Sequence, residues 1–280
     1  MTMRMRVVHS TRYDYEAPVT YSYNEARLTP PTTTTQTALE TAVHIEPPTS
    51  LLSYRDYWGT PVTAFDLHQP HDSLQVVATS MVETGTTAPA EGAASWTELR
   101  DDRVQDAYAE LLAATPYTAF DGAMADAADA VAAQPTPADA VQTASALVRE
   151  HLTYRPGATG VRTTAAEAWE ARTGVCQDFA HITAALLRRA GVPARYVSGY
   201  LHPSPQPAVG LTAVGESHAW VEAWVGAWLA VDPTNGAPVH ERHVLVGRGR
   251  DYRDVSPLRG IFAGQGRSTL TVSVAITRLH

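Results

Sequence analysis

The chain has 280 residues, 44% of them hydrophobic, and a formal net charge of −8, so it can bury a sizeable core and is a poor match for a nucleic-acid partner. Its single cysteine excludes an internal disulfide and any cysteine-rich zinc site. No apolar run approaches the roughly 20 residues that span a bilayer, and the N-terminus lacks the apolar stretch of a secretory signal. No membrane partner is therefore expected, and the cytoplasm, which keeps a free thiol reduced, is the default compartment. All 21 basic residues are arginine, so an enzyme passing acyl groups to amines would find no lysine acceptor on its own chain.

Residues 1–85 predict β structure. Arg4 to Tyr15 mixes β-branched and aromatic residues with polar ones, and Leu39–Ile45 and Leu74–Val82 alternate in places. Pro30-Pro31, Pro47-Pro48, Gly59 and Pro61 punctuate these runs, which suggests a small antiparallel domain. Exposed edges on such a domain would suit a homo-oligomer. A linker is expected over 86–97 and a second domain over 98–280, ending in a C-terminal strand at Leu270–Ile276.

Helices are predicted over Thr97–Ala114 and 122–133. Another starts at Thr136, with Thr as N-cap, Pro137 at the first position and Asp139 at the third. A short helix follows over Thr164–Arg172, where Glu167 completes a capping box. From Cys176 to Ala190, Phe179, Ile182, Thr183, Leu186, Leu187 and Ala190 share one face; Gly191 stops the helix. Strands are then expected at Ala194–Leu201, His218–Val225 and Trp228–Val231, with a Pro- and Gly-rich loop at 202–215.

The lone cysteine thus falls in the first turn of a helix, where unpaired N–H groups and the positive dipole end suit an anionic nucleophile. The plainer alternative is a buried, inert thiol. A nucleophile needs a base. His181 lies five residues along the same helix, about 140° around it, and so points elsewhere. His218 opens a hairpin turning near Gly226. Pairing about residue 225 would put His218 opposite Asp232; pairing about 226 would put it opposite Thr234 and diagonal to Asp232. Both registers leave His218 and Asp232 on one face, because their spacing is even. Asp232 could orient the imidazole, or merely start a turn before Pro233. Trp220, Trp224 and Glu222 share that face, the first two as cleft walls or ordinary packing and Glu222 as a solvated or salt-bridged residue.

Gly174-Val-Cys176-Gln-Asp178-Phe-Ala, His218-Ala-Trp-Val-Glu222 and Trp228-Leu-Ala-Val-Asp232-Pro-Thr-Asn-Gly resemble the three blocks of the bacterial transglutaminase-like superfamily. Arg27-Leu-Thr-Pro and Tyr57-Trp-Gly-Thr-Pro-Val resemble its N-terminal domain, and Gly249 to Gly260 its C-terminal block. The resemblance implies an α+β fold: an N-terminal antiparallel β domain, then a papain-like core with the cysteine helix packed on an antiparallel sheet. It implies Cys176 as nucleophile, His218 as general base and acid, and Asp232 as orienter. Acyl transfer on a peptide or protein amide through a thioester is then expected, with hydrolysis favoured over cross-linking and without a cofactor. The Cys176 N–H is one expected oxyanion donor. Tyr154 is the candidate for the second, unless it is a packing aromatic at a helix end. Asp178 is expected beside the site as support for the helix start. Asp251 and Tyr252 are placed at its border by resemblance alone.

Arylamine N-acetyltransferases and peptide N-glycanases share the triad order. The former begin Arg-Gly-Gly-x-Cys, against Arg172-Thr-Gly-Val-Cys176 here, and the latter carry paired Cys-x-x-Cys zinc ligands. A binding module with a dead triad is the main non-enzyme alternative, although all three residues are present. His68-Gln-Pro-His71 and His240-Glu-Arg-His243 have metal-ligand spacing but no evident third ligand, and are taken as exposed loop histidines with no metal. No Asp-rich loop implies calcium.

Overall fold

The computed structural model describes residues 2–86, 94–119, 122–215 and 217–280. Most of the expected linker, residues 87–93, lies outside these. Six strands open the chain: β1 (Thr2–Val19), β2 (Tyr21–Ala26), β3 (Gln36–Glu46), β4 (Leu51–Arg55), β5 (Pro61–Leu67) and β6 (His71–Gly85). In β1 Met3, Met5, Val7, His9 and Thr11 alternate inward, the period-2 signature of a half-buried strand.

The helical segment contains α1 (Trp96–Leu99), α2 (Asp102–Ala107), α3 (Ala109–Leu112), α4 (Ala125–Ala132) and α5 (Pro137–His151). The single helix expected over Thr97–Ala114 is therefore broken. Ser95 caps one start, Asp101 caps another by accepting the Arg103 N–H, and the chain re-extends at Ala113. Where the caps are unambiguous the helices start as the sequence predicts: Thr136 accepts the Asp139 N–H to open α5, and the Thr164/Glu167 box opens α6 (Ala165–Ala171). Two short parallel strands, β7 (Thr153–Tyr154) and β8 (Thr173–Gly174), bracket α6 and lead into α7 (Cys176–Arg189).

Helix α7 is buried on every side from Gln177 to Arg188, not only along its apolar face. It packs between the other helices and an antiparallel sheet ordered β13-β12-β11-β9-β14. These strands are β9 (Ala194–Leu201), β11 (Ser217–Trp224), β12 (Trp228–Asp232), β13 (Ala237–Pro238) and β14 (His243–Gly249); β10 (Thr212–Gly215) lies elsewhere. Fully buried Ile182, Leu186 and Leu187 join Val221, Val231 and Ala194 in this core. Each large side chain so removed from water contributes about 1.5–3 kcal/mol.

The chain then returns to its first domain. β15 (Leu258–Ala263) pairs with β2, and β16 (Ser268–Arg278) pairs with β1 along eleven positions from Met5↔Arg278 to Tyr15↔Ser268. The C-terminal strand grouped above with the core thus belongs by pairing to the N-terminal sheet, ordered β10-β16-β1-β6-β3. The reason is packing: Val274 and Ile276 point inward beside Met3, Met5 and Val7, and this face covers Tyr200, Val244 and Val246 of the other sheet. A second N-terminal sheet is ordered β15-β2-β5-β4.

Candidate active site

Cys176 is the first residue of α7, after Val175 in an extended conformation. The approach is fixed by Asp178, wholly buried, whose Oδ2 accepts the Val175 N–H at 2.8 Å and the Thr159 hydroxyl. Burial pushes the Asp178 carboxyl upward, against those two bonds. Gly174 makes this approach feasible, since a Cβ there would stand 2.7 Å from the Cβ of Asp178. The Cys176 Sγ is half-buried, 3.9 Å from the Ser217 carbonyl, next to the first residues of β11.

The hairpin pairs Val221 with Val231 and Trp224 with Trp228, turning at Gly226 with φ of +95°. This is the second of the two registers considered, with His218 diagonal to Asp232. The imidazole Nε2 donates to Asp232 Oδ2 at 2.7 Å. Nδ1 is then the nitrogen left for Cys176, whose Sγ lies beside Ser217, the residue before His218. Burial alone would lower the His218 pKa, but the bonds to Asp232 and Cys176 and their charges raise it to about 9. His218 is therefore an imidazolium near neutral pH, a state that would suit a thiolate–imidazolium pair.

Asp232 has no exposed surface. Burial opposes its charge, yet donors from His218, His243 and Asn235 hold it well below the usual carboxylate range. The two oxygens divide the work. Oδ1 accepts the Thr234 and Asn235 backbone N–H groups at 3.0 and 3.1 Å, closing the turn after Pro233. Oδ2 accepts His218, the Asn235 side chain at 2.7 Å and His243 at 3.2 Å.

Residues 125–233 match the Transglutaminase-like superfamily core, and residues 5–83 match the Bacterial transglutaminase-like N-terminal region. The chain belongs to the transglutaminase-like superfamily. It is 49% identical over 276 residues to an uncharacterised protein of Mycobacterium leprae, covering 99% of both chains. It is 41% identical over 86 residues to a protein-glutamine gamma-glutamyltransferase of Pseudomonas aeruginosa, a match to 29% of this chain and 13% of that protein. Among solved structures, a Cytophaga hutchinsonii protein described as a candidate cysteine protease shares the fold. Its TM-score is 0.79 at 21% identity, and the match covers 100% of this chain and 92% of that one.

The transglutaminase-like core thus brings Cys176, His218 and Asp232 together and distributes the other candidates around them. Trp220 is only 1% exposed. Its ring lies 6.3 Å from that of His218 and edge-on to that of His243 at 5.3 Å, so it packs behind the imidazoles and does not wall an open cleft. Trp224 packs on Tyr108, away from the triad. Glu222 is buried between Arg195 at 2.7 Å and Arg248 at 2.8 Å, a salt-bridged residue and not a solvated one. Tyr154 pairs with Gly174, two residues before the nucleophile, and is 46% exposed with its ring 6.3 Å from that of Phe179. Asp251 is buried and caps the turn Tyr252–Asp254, while the Tyr252 N–H donates to buried His181 Nε2 at 3.1 Å. Tyr252 and Cys176 flank the same hydrophobic cluster, so the C-terminal block braces the nucleophile helix from behind.

Two site residues escaped the sequence reading, Asn235 and His243. Both lie beyond residue 233, where the match to the core ends. His68 is an exposed loop residue as expected and His240 is half-buried between strands, but the second member of each pair is not exposed. His71 begins β6 and His243 begins β14, and both are buried because strand pairing turns them inward. The only available signal for His243 was its strand-like successor run, Val244-Leu-Val246. His218, Asp232 and His243 each place one ligand atom within 4.8 Å of the others, and these atoms hydrogen-bond among themselves through Oδ2.

Proposed function

We propose that the protein is a thiol-dependent enzyme acting on peptide or glutamine-type amides, with Cys176 as nucleophile, His218 as base and acid, and Asp232 as orienter. The observation that carries this reading is the 2.7 Å bond from His218 to a buried, ionised Asp232, with His218 next to Ser217, whose carbonyl lies 3.9 Å from the Cys176 Sγ at a helix start. The thiolate attacks the amide carbonyl carbon, and the oxyanion is met by the Cys176 N–H. The His218 Nδ1 proton passes to the leaving nitrogen as the C–N bond breaks, leaving a thioester. Water, its proton taken by Nδ1, attacks the thioester and breaks the C–S bond to release the acid and restore the thiol. We take water as the acceptor, in a reducing cytoplasm and on a peptide or protein substrate. Amine transfer, the activity named for the P. aeruginosa relative, is the competing outcome.

The test is the rate of Cys176 alkylation by iodoacetamide against pH, in the wild-type protein and in His218→Ala. Fast labelling well below pH 8.5 that is lost in the variant is expected. Slow labelling in both, rising only near a free thiol's pKa, would refute the reading. Peptide and glutamine substrates with and without an added amine then separate hydrolysis from transfer, and Cys176→Ala should abolish either while leaving the fold intact.

A further inference from the structure

We propose that His243 is a positioning residue for Asp232 and His218, and that the N-terminal β domain holds it in place. The inference rests on the Cys176–His218 reading above.

His243 is 6% exposed. Its Nδ1 accepts the His240 N–H at 3.2 Å, so its proton is on Nε2, and that N–H points at Asp232 Oδ2 at 3.2 Å. One carboxylate oxygen therefore lies between two imidazoles. The His218 donor carries the reaction's proton traffic. The His243 donor is fixed, because burial lowers its pKa and keeps it neutral near pH 7. The charged and titratable groups around His243 are Asp232 from β12, His218 from β11, and His240, Glu241 and Arg242 from the preceding turn. The Arg248–Glu222 pair lines the small cavity beside it.

The anchor comes from the other domain. β14 is the edge strand of its sheet, so its outward backbone groups need partners. Gln36, the first residue of β3, supplies them: its Oε1 accepts the Leu245 N–H at 2.8 Å and its Nε2 donates to the Leu245 carbonyl at 2.9 Å. On the other side of His243, the Thr84 hydroxyl of β6 donates to the Glu241 carbonyl. The chain is thus pinned two residues before and two residues after His243, from the N-terminal sheet. A shift of that sheet would move the third donor on Asp232.

The experiment uses the full chain and the alkaline inflection of the Cys176 alkylation profile, where His218 loses its proton. His243→Phe keeps an aromatic ring and removes the donor. Asp232 then turns more charge on His218, so the inflection should move upward by roughly half to one pH unit. Substrate turnover should fall roughly ten-fold or more as the imidazole loses its fixed placement. His243→Gln, which retains an N–H donor, should restore both. Gln36→Leu, far from the triad in sequence, should shift the inflection the same way by less. Each variant is checked for a cooperative melt, and a merely structural role would lower the melting temperature without moving the inflection. A His243→Phe profile superimposable on wild type, or a folded His243→Gln that fails to restore it, would overturn the proposal. An unmoved Gln36→Leu profile would overturn its domain link. Absence of low-pH labelling in the wild-type protein itself would instead overturn the Cys176–His218 reading, so the two failures are distinguishable.

Discussion

Replacing Asp232 by Asn separates orientation of the base from construction of the turn. The amide is the same size, and its oxygen can still accept the Thr234 and Asn235 N–H groups at 3.0 and 3.1 Å. At the Oδ2 position, however, an NH2 group would face three donors: His218, the Asn235 side chain and His243. To bond it, His218 would have to move its proton to Nδ1, the nitrogen that should receive the Cys176 proton. The Asp232 charge that helps to raise His218 would also be gone, leaving burial opposed only by Cys176, so the His218 pKa should fall. The equivalent exchange in a serine-protease triad costs about 10⁴-fold in kcat, and a loss of at least a hundred-fold is expected here. Stability should fall by less, about 1–3 kcal/mol for the mismatched donors. The assays are the alkylation profile, turnover and a thermal melt on one preparation. An alkaline inflection still near pH 9, or turnover within ten-fold of wild type, would refute the orienting role. A variant that simply unfolds would make Asp232 a turn residue and place the orienter elsewhere.

Two further outcomes follow from the packing around the site. Gly199→Ala would put a Cβ 2.1 Å from the Val244 carbonyl and 2.6 Å from the Trp220 ring, forcing β9 and β14 apart; a loss of about 3 kcal/mol in urea melts is expected, and a neutral result would mean that the sheet yields easily. His9 and His181 are buried and neutral, with burial lowering their pKa values to about 4 and about 3. Below pH 6.5 the unfolded chain binds both protons while the native one binds neither, so these two alone contribute a fall in stability of about 2.7 kcal/mol per pH unit on acidification down to about pH 4. His9→Gln should remove about half of that contribution, and a flat stability curve between pH 6.5 and 4.5 would contradict the neutral assignment.

Periodicity and caps carried the parts of the fold that depend on near neighbours. Thr136 and Thr164 start their helices because each cap and its partner are three residues apart. The same local chemistry at Ser95 and Asp101 split a helix that the apolar pattern alone joined. What stayed hidden depends on distant partners. The alternation in Ser268–Arg278 tells which residues face inward, but not that the strand pairs with β1, more than 250 residues earlier. In β14 the glycines at 247 and 249 interrupt the run, and a register shift between Leu245 and Gly247 accommodates them, so the strand carrying His243 did not stand out as one.

The nearness of His218 and Asp232 was legible because both registers centred on a residue near Gly226 keep them on one face. His218 and Asp232 are fourteen residues apart, and the observed pairing of Val221 with Val231 about residue 226, like pairing about 225, puts them on one face, whereas a one-residue slip would separate them. The alternative for Asp232, a turn residue before Pro233, looked exclusive only while the carboxylate was treated as a single acceptor. An ionised carboxylate has two oxygens and about four lone-pair sites. Here Oδ1 closes the turn and Oδ2 holds the imidazole. The structural role supports the chemical one: backbone N–H groups on Oδ1 fix the plane of the group, and that plane aims Oδ2 at His218. The tightness of the turn therefore sets the placement of the base, and changes in residues 233–235 should be felt at Cys176 through the imidazole.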